Sequence, residues 1–237
     1  MRLEARAALF DAAGTLIALR EPAGETYARS ARRLGIRASA QRLDDALARS
    51  LRRAPPMLFP ESSEAEIAAR ERAWWRDIVC AAFQWAQVDA HASQLEACFE
   101  SLYREFAEPR AWRAATGAHE ALSALRAAGL ATGVISNFDR RLHGILDGLD
   151  LAPLLDVVVL PSDARAAKPD PAIFRFALTK LGLAPGDAFF VGDQRECDLE
   201  GARRSGLHAI DVRSLATLTE LSSRLVDRMG APAQENR

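Results

Sequence analysis

Asp11 stands at the end of a short apolar run, Arg6-Ala7-Ala8-Leu9-Phe10, and is followed by Ala12-Ala13-Gly14-Thr15. A carboxylate there is exposed at a sheet's edge and rigidly held, which suits a nucleophile. Gly14 lets the chain turn sharply beside a ligand, and Thr15 can cap or contact it. Three later segments have the same form. Val134-Ile135 leads into Ser136-Asn137, whose hydroxyl and N–H donors suit phosphate oxygens. Lys168, before Pro169, is one of two lysines in a chain whose other basic residues are Arg, and its compact ammonium can neutralise a phosphate or orient a carboxylate. Ala188-Phe189-Phe190-Val191 leads into Gly192-Asp193, with Asp198 opening the next helix.

Each segment also has a plainer reading. Asp11 to Thr15 can be a strand-to-loop turn, Ser136-Asn137 a helix cap before Asp139, Lys168 a surface lysine, and Asp198 an acid favoured by the helix dipole. What sets them apart is their order, each at a strand end, where a parallel sheet gathers its functional loops. If Asp11, Asp193 and Asp198 face one another, their like charges raise each other's pKa unless a cation intervenes. Lys168 offsets one charge. A hard divalent cation, most simply Mg²⁺, offsets the rest and leaves room for a phosphate.

The elements that must position these residues follow from pattern. Residues 6–10 read as a buried strand, and the next comparable strand is Leu130 to Ile135. Everything between is helical in pattern: Ser39 caps a helix to about Arg53, ended by Pro55-Pro56. The capping box Ser63-x-x-Glu66 opens another through Trp85, and a third spans Ala92 to Phe106. Thereafter helices at 117–128, 139–147, 171–181, 198–205 and 214–228 alternate with strands at 131–135, 156–160, 188–192 and 207–212. This alternation predicts an α/β fold, a Rossmann-like parallel sheet of about five strands with helices on both faces. An all-helical insertion follows the first strand. The expected organisation is a core at 1–17 and 111–229, a helical insertion at 18–110, and a disordered tail at 230–237.

Composition narrows the class. A net charge of −1 without a lysine-rich run gives no argument for nucleic acid, and 49% hydrophobic residues suffice for a core in 237 residues. Cys80, Cys98 and Cys197 fit reduced thiols better than a disulfide framework. The N-terminus reaches Asp11 too soon for a secretory signal, and no apolar run approaches membrane-spanning length. The expectation is a soluble cytoplasmic protein, monomer or homodimer, with a small-molecule partner. Arg20 and Arg29 read either as contacts for an acidic substrate or as surface charges. Trp74-Trp75, Phe83 and Trp85 read as an interaction surface or as helix-core packing.

The four segments together resemble the haloacid dehalogenase-like hydrolase superfamily, with the insertion looking like the mobile cap of its helical-cap branch. Lys168-Pro169-Asp170-Pro171-x-Ile-Phe and Gly192-Asp193-x₄-Asp198 look most like phosphatase-type members. The resemblance implies Asp11 as nucleophile forming an aspartyl-phosphate. It implies Ser136, Asn137, Gly14 and Thr15 as phosphate binders, and Lys168 as the holder of Asp11 and phosphate. Mg²⁺ would be held by Asp11, the Ala13 backbone carbonyl, Asp193 and Asp198. One position departs: phosphatase members carry a second Asp, an acid–base group, where this chain has Ala13. That leaves a slow phosphatase, or one that draws an acid from the cap (His91 or a Glu) or acts on leaving groups that need no proton. It also leaves a metal-free 2-haloacid dehalogenase and a non-catalytic relative that binds phosphate or a partner. A phosphonate hydrolase would need a cap lysine, and residues 1–167 contain none.

Overall fold

The computed structural model describes residues 5–229. The chain runs through β1 (Ala7–Phe10), β2 (Ile17–Leu19), α1 (Ala23–Arg33), α2 (Ala40–Arg53), α3 (Glu64–Trp85), α4 (Ala92–Glu105) and β3 (Trp112–Ala114). It continues through α5 (Ala118–Ala127), β4 (Ala131–Ile135), α6 (Arg141–Gly148), β5 (Val157–Val159), α7 (Pro161–Ala164) and α8 (Pro171–Leu181). The last elements are β6 (Ala188–Gly192), α9 (Gly201–Arg204), β7 (His208–Asp211) and α10 (Leu218–Met229). The tail expected at 230–237 lies outside the described residues.

Five strands form a parallel sheet in the order β5-β4-β1-β6-β7, and β2 pairs with β3 in a separate two-stranded sheet. The expected α/β fold is therefore present. Its register decides where the site forms. Phe10 lies level with Val134 of β4 and Val191 of β6. Residues leaving the carboxyl ends of these three central strands thus emerge side by side, and the amide of Asp11 donates to the Val191 carbonyl at 2.8 Å. From β1 the chain builds one side of the sheet and then crosses to the other, so β1 and β6 flank the switch point where open α/β sheets place their ligands.

β1 and β6 are buried along their whole length, as parallel strands covered on both faces must be. Leu9, Ile135, Val159, Ile173, Phe174 and Phe190 form one apolar cluster. Each such side chain contributes about 1.5–3 kcal/mol on burial. Helix α8 starts where expected because Asp170 caps it, accepting from the Ala172 amide at 2.8 Å, with Pro171 in the first turn.

The described chain divides into two compact units, one spanning Leu19–Arg113 and the other holding the parallel sheet. The helical unit has its own core of Tyr27, Leu43, Val79, Phe83, Phe99 and Leu102. The helical pattern expected over 18–110 marks no separate start for α1, whose first turn holds Gly24. The structure needs that glycine: a Cβ there would sit 2.1 Å from the Ala40 carbonyl, while the Gly24 amide donates to Asp44 at 2.7 Å. Of the aromatic group, Phe83 is buried in the core. Trp74 donates to the Pro55 carbonyl, and Trp85 is half-exposed beneath the Arg49 guanidinium. Arg29 is engaged within its own unit by Glu21 and Glu105, both at 2.6 Å, so it is not a free charge awaiting a substrate.

Two other expected boundaries move. The helix placed at 214–228 starts at Leu218, after a 3-10 turn at Val212–Ser214. The helix placed at 198–205 is a wide π-helical turn, Arg195–Glu200, followed by the short α9. Among the described residues, no helix is long and apolar enough to cross a membrane.

Candidate functional site

The loops at the carboxyl ends of β1, β4 and β6, with the segment before α8, bring the predicted residues together. The Lys168 ammonium donates to Asp11 Oδ1 and to Asp198 Oδ1, both at 2.6 Å. All three groups are almost wholly buried, and the ammonium also lies 5.2 Å from the centre of the Phe190 ring. Asp193 completes the cluster. One carboxylate oxygen each from Asp11, Asp193 and Asp198 lie within 4.8 Å of one another.

The loop after β1 is wound tightly, with the Ala12 carbonyl accepting from the amides of Thr15, Leu16 and Ile17. Gly14 has a φ of 99°, and a Cβ there would sit 2.8 Å from Asp193 Oδ2. Only glycine fits both the left-handed backbone and the carboxylate packed against it. Thr15 Oγ1 is buried without a hydrogen-bond partner among the described residues, so the hydroxyl does not act as a cap. Ser136 is buried, its amide bonded to the Val159 carbonyl at 3.1 Å. Ala13 is partly exposed, and its methyl group can neither give nor take a proton.

Two residues hold positions that spacing did not reveal. Asp198 Oδ2 accepts from the amides of Asp193 at 3.1 Å and Gln194 at 3.0 Å. With Lys168 on Oδ1, both its oxygens are engaged, and the carboxylate shapes the loop that presents Asp193. This is why Asp198 sits inside a widened turn instead of opening a regular helix. Asn137, expected to contact phosphate, turns its carboxamide to the Lys168 backbone. Its Nδ2 donates to the Lys168 carbonyl and its Oδ1 accepts from the Lys168 amide, each at 2.8 Å.

The electrostatics follow from crowding and burial. Burial raises the Asp11 pKa; Lys168 opposes this and the Asp198 charge adds to it, leaving it above the ordinary carboxylate range. Asp193 is pushed up to about 6 by burial and by the charges of Asp11 and Asp198. Burial alone would lower the Lys168 pKa, but the two carboxylates outweigh it and the net shift is upward. Lys168 is therefore charged, and with all three acids ionised two negative charges stay uncompensated. Asp193 Oδ1 is buried with no hydrogen-bond partner among the described residues. An all-oxygen donor set with surplus negative charge and an orphaned carboxylate oxygen fits a hard divalent cation.

A family profile described as haloacid dehalogenase-like hydrolase matches residues 5–206. The chain belongs to the haloacid dehalogenase-like hydrolase family. It is similar to haloacid dehalogenase-like hydrolase domain-containing protein 3 of Homo sapiens, at 38% identity over 208 residues covering 88% of this chain and 82% of that protein. It is also similar to a phosphoserine phosphatase of Thermus thermophilus, at 35% identity over 106 residues, 44% of this chain and 43% of that one. Among solved structures, a haloacid dehalogenase-family phosphatase from Thermococcus onnurineus aligns at TM-score 0.61 and 25% identity, covering 93% of this chain and 97% of that one. A dehalogenase aligns at TM-score 0.68 and 24% identity, covering 93% and 96%, a likeness of fold. The chain is thus a hydrolase of this family with phosphatase-like neighbours.

Proposed function

We propose that this hydrolase is a Mg²⁺-dependent phosphatase of a small phosphorylated molecule, working through an aspartyl-phosphate on Asp11. The observation that carries the reading is the cluster of three carboxylates around Lys168 in which Asp193 Oδ1 is buried and, among the described residues, unpartnered. A site operating without metal has no use for that surplus charge.

Asp11, Asp193 and the Ala13 backbone carbonyl would hold the cation. Asp198, with both oxygens engaged, would fix Lys168 and the Asp193 loop around it. When bound, the cation supplies charge neutralisation for the carboxylates and the incoming phosphate. The Ser136 hydroxyl and the 12–15 loop, with Gly14 and Thr15, receive the phosphoryl oxygens. Lys168 holds Asp11 Oδ1, leaving Oδ2 to attack. An Asp11–phosphorus bond forms as the bond to the leaving oxygen breaks. Water then attacks phosphorus, releasing phosphate and regenerating the carboxylate. Ala13 can neither protonate the leaving oxygen nor activate that water, and loss of such a group costs roughly 10²–10⁴ in rate. Aryl or acyl phosphates, whose leaving groups need little protonation, are therefore the favoured substrates, and dephosphorylation is the slow step. We assign the Leu19–Arg113 unit as the cap of this family branch, and the free thiols accord with a reducing cytoplasm.

The test is hydrolysis of an activated aryl phosphate, with and without Mg²⁺, by wild type and Asp11→Asn. Mg²⁺-dependent turnover that disappears in Asp11→Asn is expected. The dehalogenase reading draws on Ala13, since a departing halide needs no proton. Chloride release from a 2-haloacid without Mg²⁺, in the absence of phosphatase turnover, would establish it instead. Absence of both activities would leave a phosphate- or partner-binding role.

A further inference from the structure

Asn137 follows Ser136 at the end of β4, while Lys168 lies 31 residues on, before α8. The Asn137 carboxamide grips both backbone polar groups of Lys168, donating to its carbonyl and accepting from its amide at 2.8 Å each. Asp198 also meets main chain twice, through the amides of Asp193 and Gln194, whereas Asn137 engages both the donor and the acceptor of a single residue. We infer that Asn137 is a positioning residue: it sets the Lys168 backbone so that the ammonium reaches Asp11 and Asp198 at once, and it does not bind phosphate through its side chain.

The physical need is specific. A lysine side chain reaches its target through four rotatable bonds and carries about 2 kcal/mol of rotamer entropy. Here its ammonium must meet two carboxylates at 2.6 Å each, inside a buried site. A shift of the Lys168 backbone by a fraction of an ångström lengthens one of these bonds or breaks it. The donor–acceptor pair of Asn137 fixes both position and orientation of that peptide, which a single hydrogen bond would not. Because Asn137 is covalently next to Ser136, the same side chain also joins the hydroxyl's strand end to the lysine's loop. Two phosphate-facing groups from distant parts of the chain thereby keep a fixed spacing.

The inference rests on the reading of Asp11 and Lys168 as the reacting pair. Its test is a double-mutant cycle on aryl phosphate hydrolysis with saturating Mg²⁺, measured by single turnover in wild type, Asn137→Ala, Lys168→Ala and the double variant. Residues that orient a functional group from behind typically contribute about 10–100-fold. Asn137→Ala is expected to lower kcat by that factor with KM within about threefold. In the Lys168→Ala background the same substitution should cost less than about twofold, because there is no ammonium left to place. The full loss in both backgrounds, a loss in KM alone, or a wild-type kcat would each overturn the inference. Should Asn137→Ala lose its cooperative melt, Asn137→Asp keeps size and the acceptor for the Lys168 amide but has no donor for the carbonyl. Its kcat should still fall, and a wild-type value overturns the inference. If wild type lacks Mg²⁺-dependent turnover, or Asp11→Asn retains it, the reading of the site fails and the inference with it. If wild type turns over and Asn137→Ala matches it, the inference fails alone.

Discussion

Replacing Lys168 by methionine removes one positive charge and keeps nearly the same volume, so the effect on folding is electrostatic. In the native protein the ammonium pairs with Asp11 and Asp198 at 2.6 Å, all three groups being buried. Removing one partner of a buried ion pair costs about 3–5 kcal/mol, because the other is left charged in a poor solvent. An independent route gives a similar figure. The variant can escape by protonating one carboxyl. Against an unfolded pKa of 3.8, that protonation costs about 4 kcal/mol at pH 7, at about 1.4 kcal/mol per unit. The escape becomes cheaper as pH falls, and between pH 7 and pH 5 the cost drops by about 3 kcal/mol.

The wild type behaves differently over that window. The Lys168 pKa is raised above its unfolded value of 10.5. Its contribution is fully present below that pH and is lost only as pH rises through the higher folded value. From pH 5 to pH 7 the lysine's own contribution is constant, and the titration of Asp193 at about 6 occurs in both proteins and is removed by taking their difference. The deficit of Lys168→Met should therefore be about 3–5 kcal/mol at pH 7 and about 0–2 kcal/mol at pH 5. For a chain of this size 1 kcal/mol moves Tm by about 2–4 °C, so the pH 7 melting point should fall by roughly 10 °C. Calorimetry of both proteins without metal at the two pH values is the assay. A deficit below about 1 kcal/mol at pH 7, or one equal at both pH values, would refute the reasoning.

Three further outcomes follow from the same site. Mg²⁺ should raise Tm more at pH 7.5 than at pH 5: Asp193 titrates near about 6, its raised pKa costs the metal-free fold stability as pH climbs from about 4 through 6, and cation binding requires the ionised form. An equal Tm increment at both pH values would count against Asp193 as a ligand. Gly14→Ala should cost about 1–3 kcal/mol, the range for a residue forced into an unfavourable backbone region. It should also depress turnover by displacing Asp193, whose Oδ2 the new Cβ would meet at 2.8 Å; unchanged urea unfolding and kinetics would contradict this. Ala13→Asp should raise turnover of alkyl phosphates by more than about tenfold, more than that of aryl phosphates, and shorten the life of the phospho-enzyme. Quenched-flow measurement showing both rate and lifetime unchanged would remove Ala13 as the cause of slow turnover.

Much of this was legible in the sequence because strand ends are legible. Asp11, Ser136 and Asp193 each follow a short apolar run, and a parallel sheet in register brings such positions together without any long-range information. Lys168 stood out by residue type in an arginine-rich chain. The contacts that define roles were not legible. The grip of Asn137 on Lys168 joins residues 31 apart through side chain and main chain, and no periodicity encodes it. Asp198 read either as a helix-opening acid or as a metal ligand, because spacing does not reveal that its carboxylate turns back to the amides of Asp193 and Gln194, within the widened turn at 195–200. Helix α1 falls inside the stretch read as helical, but its start was not marked: no side chain caps it, and Gly24 serves tertiary approach to α2 at the expense of local propensity.

The charge balance explains why the cluster is built at such expense. Buried ion pairs are weak sources of stability, and apolar replacements of similar volume are often as stable or more so. Lys168, Asp11 and Asp198 are thus poorly explained as a folding device. The arrangement makes more sense as an ammonium committed in advance to a fixed place between two carboxylates, leaving Asp193 and the second oxygen of Asp11 with charge to spare. An anionic phosphate approaching this site alone meets two uncompensated negative charges. Under the proposed reaction a cation held by Asp11 and Asp193 would offset that charge and let the phosphate settle. The same surplus charge would repel a 2-haloacid carboxylate in a site lacking metal. The acids that make the phosphatase reading attractive therefore weigh against the dehalogenase one, even though Ala13 taken by itself suits both.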